Sequence, residues 1–380
     1  GRQAIRTLLS GPAAGVIGAA AIARRSGLRD VITIDMGGTS TDVALLRDGR
    51  PTLTTESKID ELPLRVPMLD ISTVGAGGGS LARVDSGGLL DVGPQSAGAV
   101  PGPACYGRGG TEPTVTDADL LLGRLNDTRF LGGHMTLDRA RAQTAAAALG
   151  KKLDLDAMRT ALGIATISDA AMSLAVRAVS VKRGIDPRDA TMIAFGGAGP
   201  LHAVAIAREI SIPKVIIPKL PGAFSALGML MAEWRQDFVR TLIGELGRID
   251  SEGAAVAFSE LRAAGEKALA RDGLSNGEFT FAADLRYRGQ EHTIAIAVAD
   301  AGELSGNTEG TRKRFHAQHD QRYGHAAPDQ SIEVVNLRLV VTVPRVQDAI
   351  GRWLVEPWPP EGTCDEYRRP VVFDDAARPV

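Results

Sequence analysis

The chain of 380 residues is short of cysteine, of aromatic side chains and of net charge, and each shortage removes a class of function. Its two cysteines, Cys105 and Cys364, are too few and too far apart in sequence for a disulfide framework or a zinc site. A reducing cytoplasm is the expected compartment. Aromatics make up 4% of the residues, which argues against base-stacking platforms. Lys+Arg 43 against Asp+Glu 45 leaves a formal net charge of −2, so no global field draws the chain to nucleic acid or to an anionic membrane. Neither is an expected partner. No apolar run reaches the roughly 18 residues that a membrane span needs. The opening residues GRQAIRTLLSGPAAG lack the charged-then-apolar order of a signal peptide and read as the approach to a helix, so an upstream part is expected.

What is present fits a folded protein rich in turns. Hydrophobic residues are 44% and charged residues 23%, near the usage of soluble domains, and there are 44 glycines for tight turns and close backbone approaches. The length calls for two or three units. Ser10-Gly11-Pro12 is a helix-start signal before an alanine-rich run that Gly27 stops. Val31-Ile32-Thr33-Ile34 and Thr41 to Leu46 read as two strands joined by a glycine turn. Residues 51–113, rich in glycine and proline, read as loops on a scaffold. Helical spacing dominates from Leu137 to Ile185, followed by a strand at Thr191 to Phe195, a helix at Leu201 to Glu209 and a strand at Lys214 to Pro218. Beyond about residue 240 charged helices and alternating strands mark a smaller α+β unit. The expected division is 1–240, 241–345 and an incomplete proline-rich segment 346–380.

Two bends carry the chemistry. In Asp35-Met36-Gly37-Gly38-Thr39-Ser40-Thr41-Asp42, two glycines allow close approach to a phosphate, Thr39 and Ser40 supply hydroxyls, and carboxylates can hold a hydrated Mg²⁺. The bland alternative is a glycine-rich hairpin turn. A Walker loop is excluded, because a strand follows and no lysine is in place. In Phe195-Gly196-Gly197-Ala198-Gly199-Pro200, a strand feeds a small-residue loop and then a helix N-terminus, a setting that admits a flat adenine ring against bare backbone. Gly75-Ala76-Gly77-Gly78-Gly79-Ser80 matches the dinucleotide fingerprint only at its start, and reads equally as a structural turn or a lining of the cleft.

Taken in order, SGPAAGVIGA, DMGGTSTD and FGGAGP resemble the connecting helix, second phosphate motif and adenosine motif of the actin-like ATPase superfamily. Within it, DISTVGAGGGS from Asp70, GPACYGRGG from Gly102, PTVTDAD from Pro113, GGAGPLH from Gly196 and DLRYRGQ from Asp284 resemble the hydantoinase A/5-oxoprolinase family over about residues 4–345. The resemblance implies an actin-like (ribonuclease H-like) α/β domain with inserted loops and helices. It implies ATP and Mg²⁺ as cofactors, and a cyclic amide of hydantoin or 5-oxoproline type as substrate, or a ketone to be carboxylated. A hydantoinase B-type subunit or domain and assembly into an oligomer are implied as well. Asp35 and Asp42 take the catalytic places, with Asp35 on the metal. Gly37, Gly38, Thr39 and Ser40 cradle phosphate, and Gly196, Gly197, Ala198, Gly199 and Pro200 seat adenosine. The superfamily's first phosphate loop is absent, so the chain alone is expected to bind nucleotide poorly. The family pattern has histidine where Ser72 stands, and serine cannot replace an imidazole ligand well. A small-molecule kinase of the same superfamily and a non-catalytic nucleotide-binding scaffold are the competing readings.

Weaker candidates each have a structural alternative. Cys105 reads as a small buried thiol rather than a nucleophile. Asp117 and Asp119, behind a strand-like Thr114-Val115-Thr116, could face the cleft or cap a helix. His202 reads equally as structural or ligand-touching. His316, His319 and His325 read as a solvated helix face rather than a metal site.

Overall fold

Near-continuous apolar runs in Val31–Met36 (β1) and Thr41–Arg47 (β2) give two strands that bury both faces, and this pair is the axis of a six-stranded sheet. The computed structural model describes residues 10–54, 57–59, 62–64, 68–343, 352–354, 369–373 and 377–379. Two compact units divide the chain: Glu233–Gln347 forms one, and the remainder the other.

In the first unit, β2 runs antiparallel to β1 and also pairs with Arg50–Pro51 (β3) and Ile71–Val74 (β4). A hairpin of Ser80–Val84 (β5) and Leu90–Ser96 (β6) follows. On the other side of β1 lies Thr191–Phe195 (β7), parallel, and beyond it Lys214–Ile216 (β8), also parallel. Register decides which side chains meet which layer. Ile32 opposite Leu45, and Ile34 opposite Val43, enter one core with the helices Val115–Leu121 (α2), Arg139–Gly150 (α3), Ala157–Lys182 (α4) and Gly199–Glu209 (α5). Val31 opposite Leu46 joins Ile193 and Phe195 in a second core under Ser10–Arg25 (α1) and Phe224–Met231 (α6). Asp35 and Asp42 belong to that second face, at its polar end.

Four expectations change. Residues 80–96 form a hairpin rather than bare loop, because Asp85 Oδ1 accepts the Gly87 and Leu89 amides and closes the turn. Val115-Thr116 starts a helix rather than ending a strand. Thr114 and Asp117 form a capping box, which outweighs the β preference of the branched residues. The expected boundary at 240 falls inside a strand, Trp234–Glu245 (β9), that pairs along its length with Ile332–Val343 (β12), so the units part at residue 232 instead. The segment 346–380 is assigned no element from sequence, yet Pro370–Val372 pairs with Ala377–Pro379, and the Val372 amide donates to the Leu122 carbonyl.

The second unit is a four-stranded antiparallel sheet, ordered β9, β12, Glu278–Tyr287 (β10) and Ile294–Ala297 (β11). Its core gathers Leu285, Tyr287, Leu337 and Leu339, with Leu261 of Ser251–Arg271 (α7) and Phe315 of Glu309–Tyr323 (α8).

Helix α4 is long and apolar enough in composition to cross a bilayer, although no unbroken apolar run suggests it. Here it is a core helix, with Ala161, Ile164, Ala165, Met172 and Val176 buried against the first sheet and its helices.

Helices α1 and α6 touch through missing side chains. A Cβ on Gly228 would collide with the Ala14 carbonyl, and one on Gly18 would stand 2.9 Å from the Phe224 ring. Gly228→Ala is therefore expected to lower the free energy of unfolding by roughly 2 kcal/mol or more. Gly11→Ala, with open space around it, should change it by less than about 1 kcal/mol. Urea unfolding of the two variants measures both, and equal losses would refute the close packing of α1 on α6.

Candidate functional site

Both glycine bends leave the sheet at one edge, because β1 and β7 are adjacent and parallel, with Asp35 beside Phe195. The carboxyl ends of parallel strands are where open α/β sheets bind ligands. The bends also touch, as the Ala198 amide donates to the Met36 carbonyl at 3.0 Å; the Gly196 amide donates to the Pro221 carbonyl at 3.0 Å, which ties the second bend to the turn before α6. Gly196 has φ +85, and a Cβ there would strike Met36 and stand 2.5 Å from Asp35 Oδ1. Asp35, Asp42, residues 37–40 and residues 196–200 thus come together at one edge of the sheet.

The 37–40 bend is held from behind. The Gly78 amide donates to the Gly37 carbonyl at 3.0 Å and the Gly79 amide to the Gly38 carbonyl at 2.6 Å. A Cβ on Gly77 would lie 2.6 Å from the Thr39 carbonyl carbon, so glycine is required at this contact. The Gly78 carbonyl in turn accepts both the amide and the hydroxyl of Thr116, each at 2.7 Å, in the first turn of α2. Of the two readings of residues 75–80, the structure supports the packed turn.

The other side of the bends is bare. A Cβ on Gly38 or Gly197 would meet nothing within 4 Å, and one on Gly37 only the Ser40 carbonyl at 3.9 Å. The amides of Gly38 and Thr39 have no hydrogen-bond acceptor among the described residues. Unengaged donors on an open, side-chain-free surface suit an anion.

Asp35 and Asp42 stand opposite each other in the β1–β2 ladder, so their carboxylates share a face. Ser225 of α6 donates to Asp35 Oδ2 at 3.0 Å, and Thr73 of β4 donates to Asp42 Oδ1 at 2.5 Å. Burial raises the pKa of Asp35 above the ordinary carboxylate value; the Ser225 bond opposes this and the charge of Asp42 adds to it. Burial raises Asp42 likewise, against the Thr73 bond. Two half-buried carboxylates, both raised by burial and one also by its neighbour's charge, favour a cation. Among the described residues no group of three His, Cys, Asp or Glu is placed to hold a metal. Two carboxylates fit Mg²⁺, which keeps several waters and completes its shell with phosphate. Ser225 and Thr73 were not singled out from the sequence. Ser225 lies 190 residues from Asp35 with no motif around it, whereas Thr73 sits within DISTVGAGGGS.

The weaker candidates separate. Cys105 is fully buried; burial and then the charge of Asp117 push its thiol pKa upward, which leaves no thiolate for attack. Asp117 caps α2 and also accepts the Ala104 and Cys105 amides at 3.1 and 2.7 Å. Ser72 is exposed, opposite Val43 on β4. In the second unit the solvated-face reading fails for His319, which is 1% exposed and lies within hydrogen-bond distance of the His325 carbonyl, at 2.7 Å. His316 receives the Tyr287 hydroxyl at 2.7 Å.

His202 does not reach the surface. It is fully buried, with Nδ1 2.6 Å from Asp169 Oδ1 on α4 and Nε2 3.1 Å from Asp119 Oδ2 on α2. Burial alone would depress its pKa, but Asp119 and then Asp169 reverse this and lift it to about 10. A raised folded-state pKa stabilises fully below the ordinary value of about 6.5, and that stabilisation is lost as pH rises through about 10. The free energy of unfolding should therefore fall by on the order of 3 kcal/mol more in the parent protein than in His202→Gln between pH 7 and 10.5. Denaturant titrations at the two pH values measure it, and parallel profiles would exclude a paired imidazolium.

Comparison with known proteins adds the following. A family model described as hydantoinase/oxoprolinase matches residues 1–238. The chain is 36% identical over 378 residues to caprolactamase subunit alpha of Pseudomonas jessenii, covering 98% of this chain and 54% of that protein. The crystal structure of ATP-dependent caprolactamase from Pseudomonas jessenii matches with a TM-score of 0.68 and 37% identity, over 87% of this chain and 49% of that one. A nucleotide-free acetone carboxylase structure, described under the mechanism of ATP-dependent acetone carboxylation, matches with a TM-score of 0.79 and 27% identity, over 90% of this chain and 50% of that one. The chain therefore spans about half the length of these relatives.

Proposed function

Because the chain belongs to the hydantoinase/oxoprolinase family, we propose that it supplies part of the ATP site of an enzyme that activates a cyclic amide for ring opening, or a ketone for carboxylation. The observation that carries this reading is the shared sheet edge, where the open glycines 37, 38 and 197 flank a pair of raised carboxylates. The ATP dependence of the caprolactamase and the acetone carboxylase supports it, and caprolactam is itself a cyclic amide. We read the first unit as a portion of an actin-like ATPase fold, on the parallel β1–β7 pair, the antiparallel β1–β2 pair and the bends that follow them.

In this reading Gly37, Gly38, Thr39 and Ser40 hold the phosphates through backbone amides and hydroxyls. Gly196, Gly197, Ala198, Gly199 and Pro200 hold the nucleoside. Asp35, fixed by Ser225, and Asp42, fixed by Thr73, hold the Mg²⁺ and its waters. Bound MgATP would supply a phosphoryl group to the carbonyl oxygen of the substrate, turning a poor electrophile into a reactive one. The chain's own residues contribute position and charge. The half-buried acid pair fixes the cation, and the small residues of both bends keep the ligand against backbone, where oriented donors need no rearrangement. A partner subunit of B type, completing the substrate chemistry, accords with the relative's designation as a subunit.

Asp35→Asn in the whole assembled enzyme should reduce ATP hydrolysis stimulated by a lactam, hydantoin or ketone by about a thousandfold or more. Phosphate release assayed with each substrate class measures this. Chromatography of the organic product separates ring-opened or carboxylated product from a stable phosphorylated one. Undiminished turnover in the variant would overturn the assignment.

A further inference from the structure

A chain of short bonds runs from one bend to the other through the interior. It begins where the Gly78 and Gly79 amides hold the carbonyls of Gly37 and Gly38, and continues through Thr116, which holds Gly78 from the first turn of α2. Asp119 lies two residues beyond Asp117 of the capping box on the same short helix and meets His202 Nε2 at 3.1 Å. His202 sits in the first turn of α5, whose first residues, Gly199 and Pro200, are the end of the second bend. Its other nitrogen is 2.6 Å from Asp169, near the middle of α4.

We propose that His202 is a positioning residue that sets the separation of the two bends, by clamping the start of α5 to α2 and α4. The importance of that separation for turnover rests on the nucleotide reading given above, whereas the clamp itself rests on geometry. An ionised carboxylate only accepts hydrogen bonds, so a ring with a carboxylate oxygen at each nitrogen must donate from both. The charged groups facing the ring are Asp119 of α2 and Asp169 of α4, and Arg124, 3.4 Å from Asp119 Oδ1, brings a second positive charge. Two carboxylates and two cations balance in a site where side-chain exposure is 10% or less for all four.

Such a junction is directional. Apolar helix packing tolerates small sliding and repacking, but two hydrogen bonds from opposite sides of a planar ring fix its position and plane together. Both bends are tied to this junction, one through α5 and one through α2. An ångström of displacement between groups that grip one ligand can cost a hundredfold in rate.

Hydrogen exchange of the nucleotide-free protein tests the clamp. In His202→Gln, the hydrogen-bonded amides of Gly37, Gly78, Gly79, Gly196 and Ala198, in the segments 37–40, 77–79 and 196–199, should all exchange at least tenfold faster, while those of β1 and β7 stay within twofold of the parent. Acceleration confined to the first turn of α5, or equal acceleration throughout the first unit, would overturn the proposal. If His202→Gln does not fold, Asp169→Asn, which leaves the ring an acceptor, should show the same three segments at smaller amplitude; loss confined to α4 and α5 would count against the clamp. In the assembled enzyme, His202→Gln should raise KM for ATP at least tenfold with a smaller change in kcat, and an unchanged KM would also count against it. Absence of ATP turnover in the parent enzyme would remove the nucleotide reading and leave the exchange result to decide the clamp on its own.

Discussion

The approach of Gly196 to the end of β1 is the contact on which the candidate site depends. Parallel neighbours in a sheet leave it in the same direction, so the chains after Met36 and after Phe195 must diverge without room for side chains between them. Glycine at φ +85 allows this, because any Cβ would strike the Met36 carbonyl and crowd the Asp35 carboxylate. The Ala198 amide then closes back onto the same Met36 carbonyl and turns the chain into α5. The start of that helix, with its positive dipole end, thereby comes to the edge that also carries Asp35 and Asp42. Acidic pair, bare bends and helix end are consequences of one backbone crossing.

The glycines of this edge divide into two kinds. Gly77, Gly79 and Gly196 are small because other backbone lies against them, and a side chain there would push the 37–40 bend out of place. Gly38 and Gly197 border open space, where a side chain would fit sterically and obstruct whatever approaches. Packing accounts for the first kind and leaves the second without a structural reason. Loss of backbone entropy makes an unneeded glycine unfavourable, so the open ones point outward to a ligand.

Local signals in the sequence were sufficient for the elements that carry the bends. The apolar runs of β1, β2 and β7, and the glycine turns that end them, are written within a few residues, and α3 and α4 declare themselves by three- and four-residue spacing. Where long-range partners decide, the local signal fails. Trp234–Glu245 becomes a long strand by pairing with residues about a hundred positions later, whereas at Thr114-Val115-Thr116 one local signal, the Thr114–Asp117 cap, overrides another, the β preference of the branched residues. The site shows the same limit. Asp35 and Asp42 are legible from the turn between them, but Ser225 and Thr73 are fixed to them only by the fold. Asp169 sits in a helix so apolar that nothing nearby announces a partner, and His202 is 33 residues away from it.

That apolar setting shows what the buried charges are for. Moving a carboxylate out of water costs several kcal/mol, which attraction to nearby cations offsets only when the geometry is good. Filling the space with leucine-sized side chains would give comparable stability, so stability alone does not explain Asp119, Asp169, His202 and Arg124 in one core. Arg124 indicates the purpose. Its guanidinium meets Asp119 on one side and the Phe373 ring at 5.8 Å on the other, and its carbonyl accepts from Arg369 at 2.8 Å. The junction therefore joins α2, α4, α5 and the strand Pro370–Val372, elements separated by up to about 250 residues of chain. Apolar surfaces could bury these elements together in several registers, but charges that must each find an opposite partner permit one. Two bends that grip one ligand from both sides, as proposed above, one between β1 and β2 and the other at the start of α5, would need that single register.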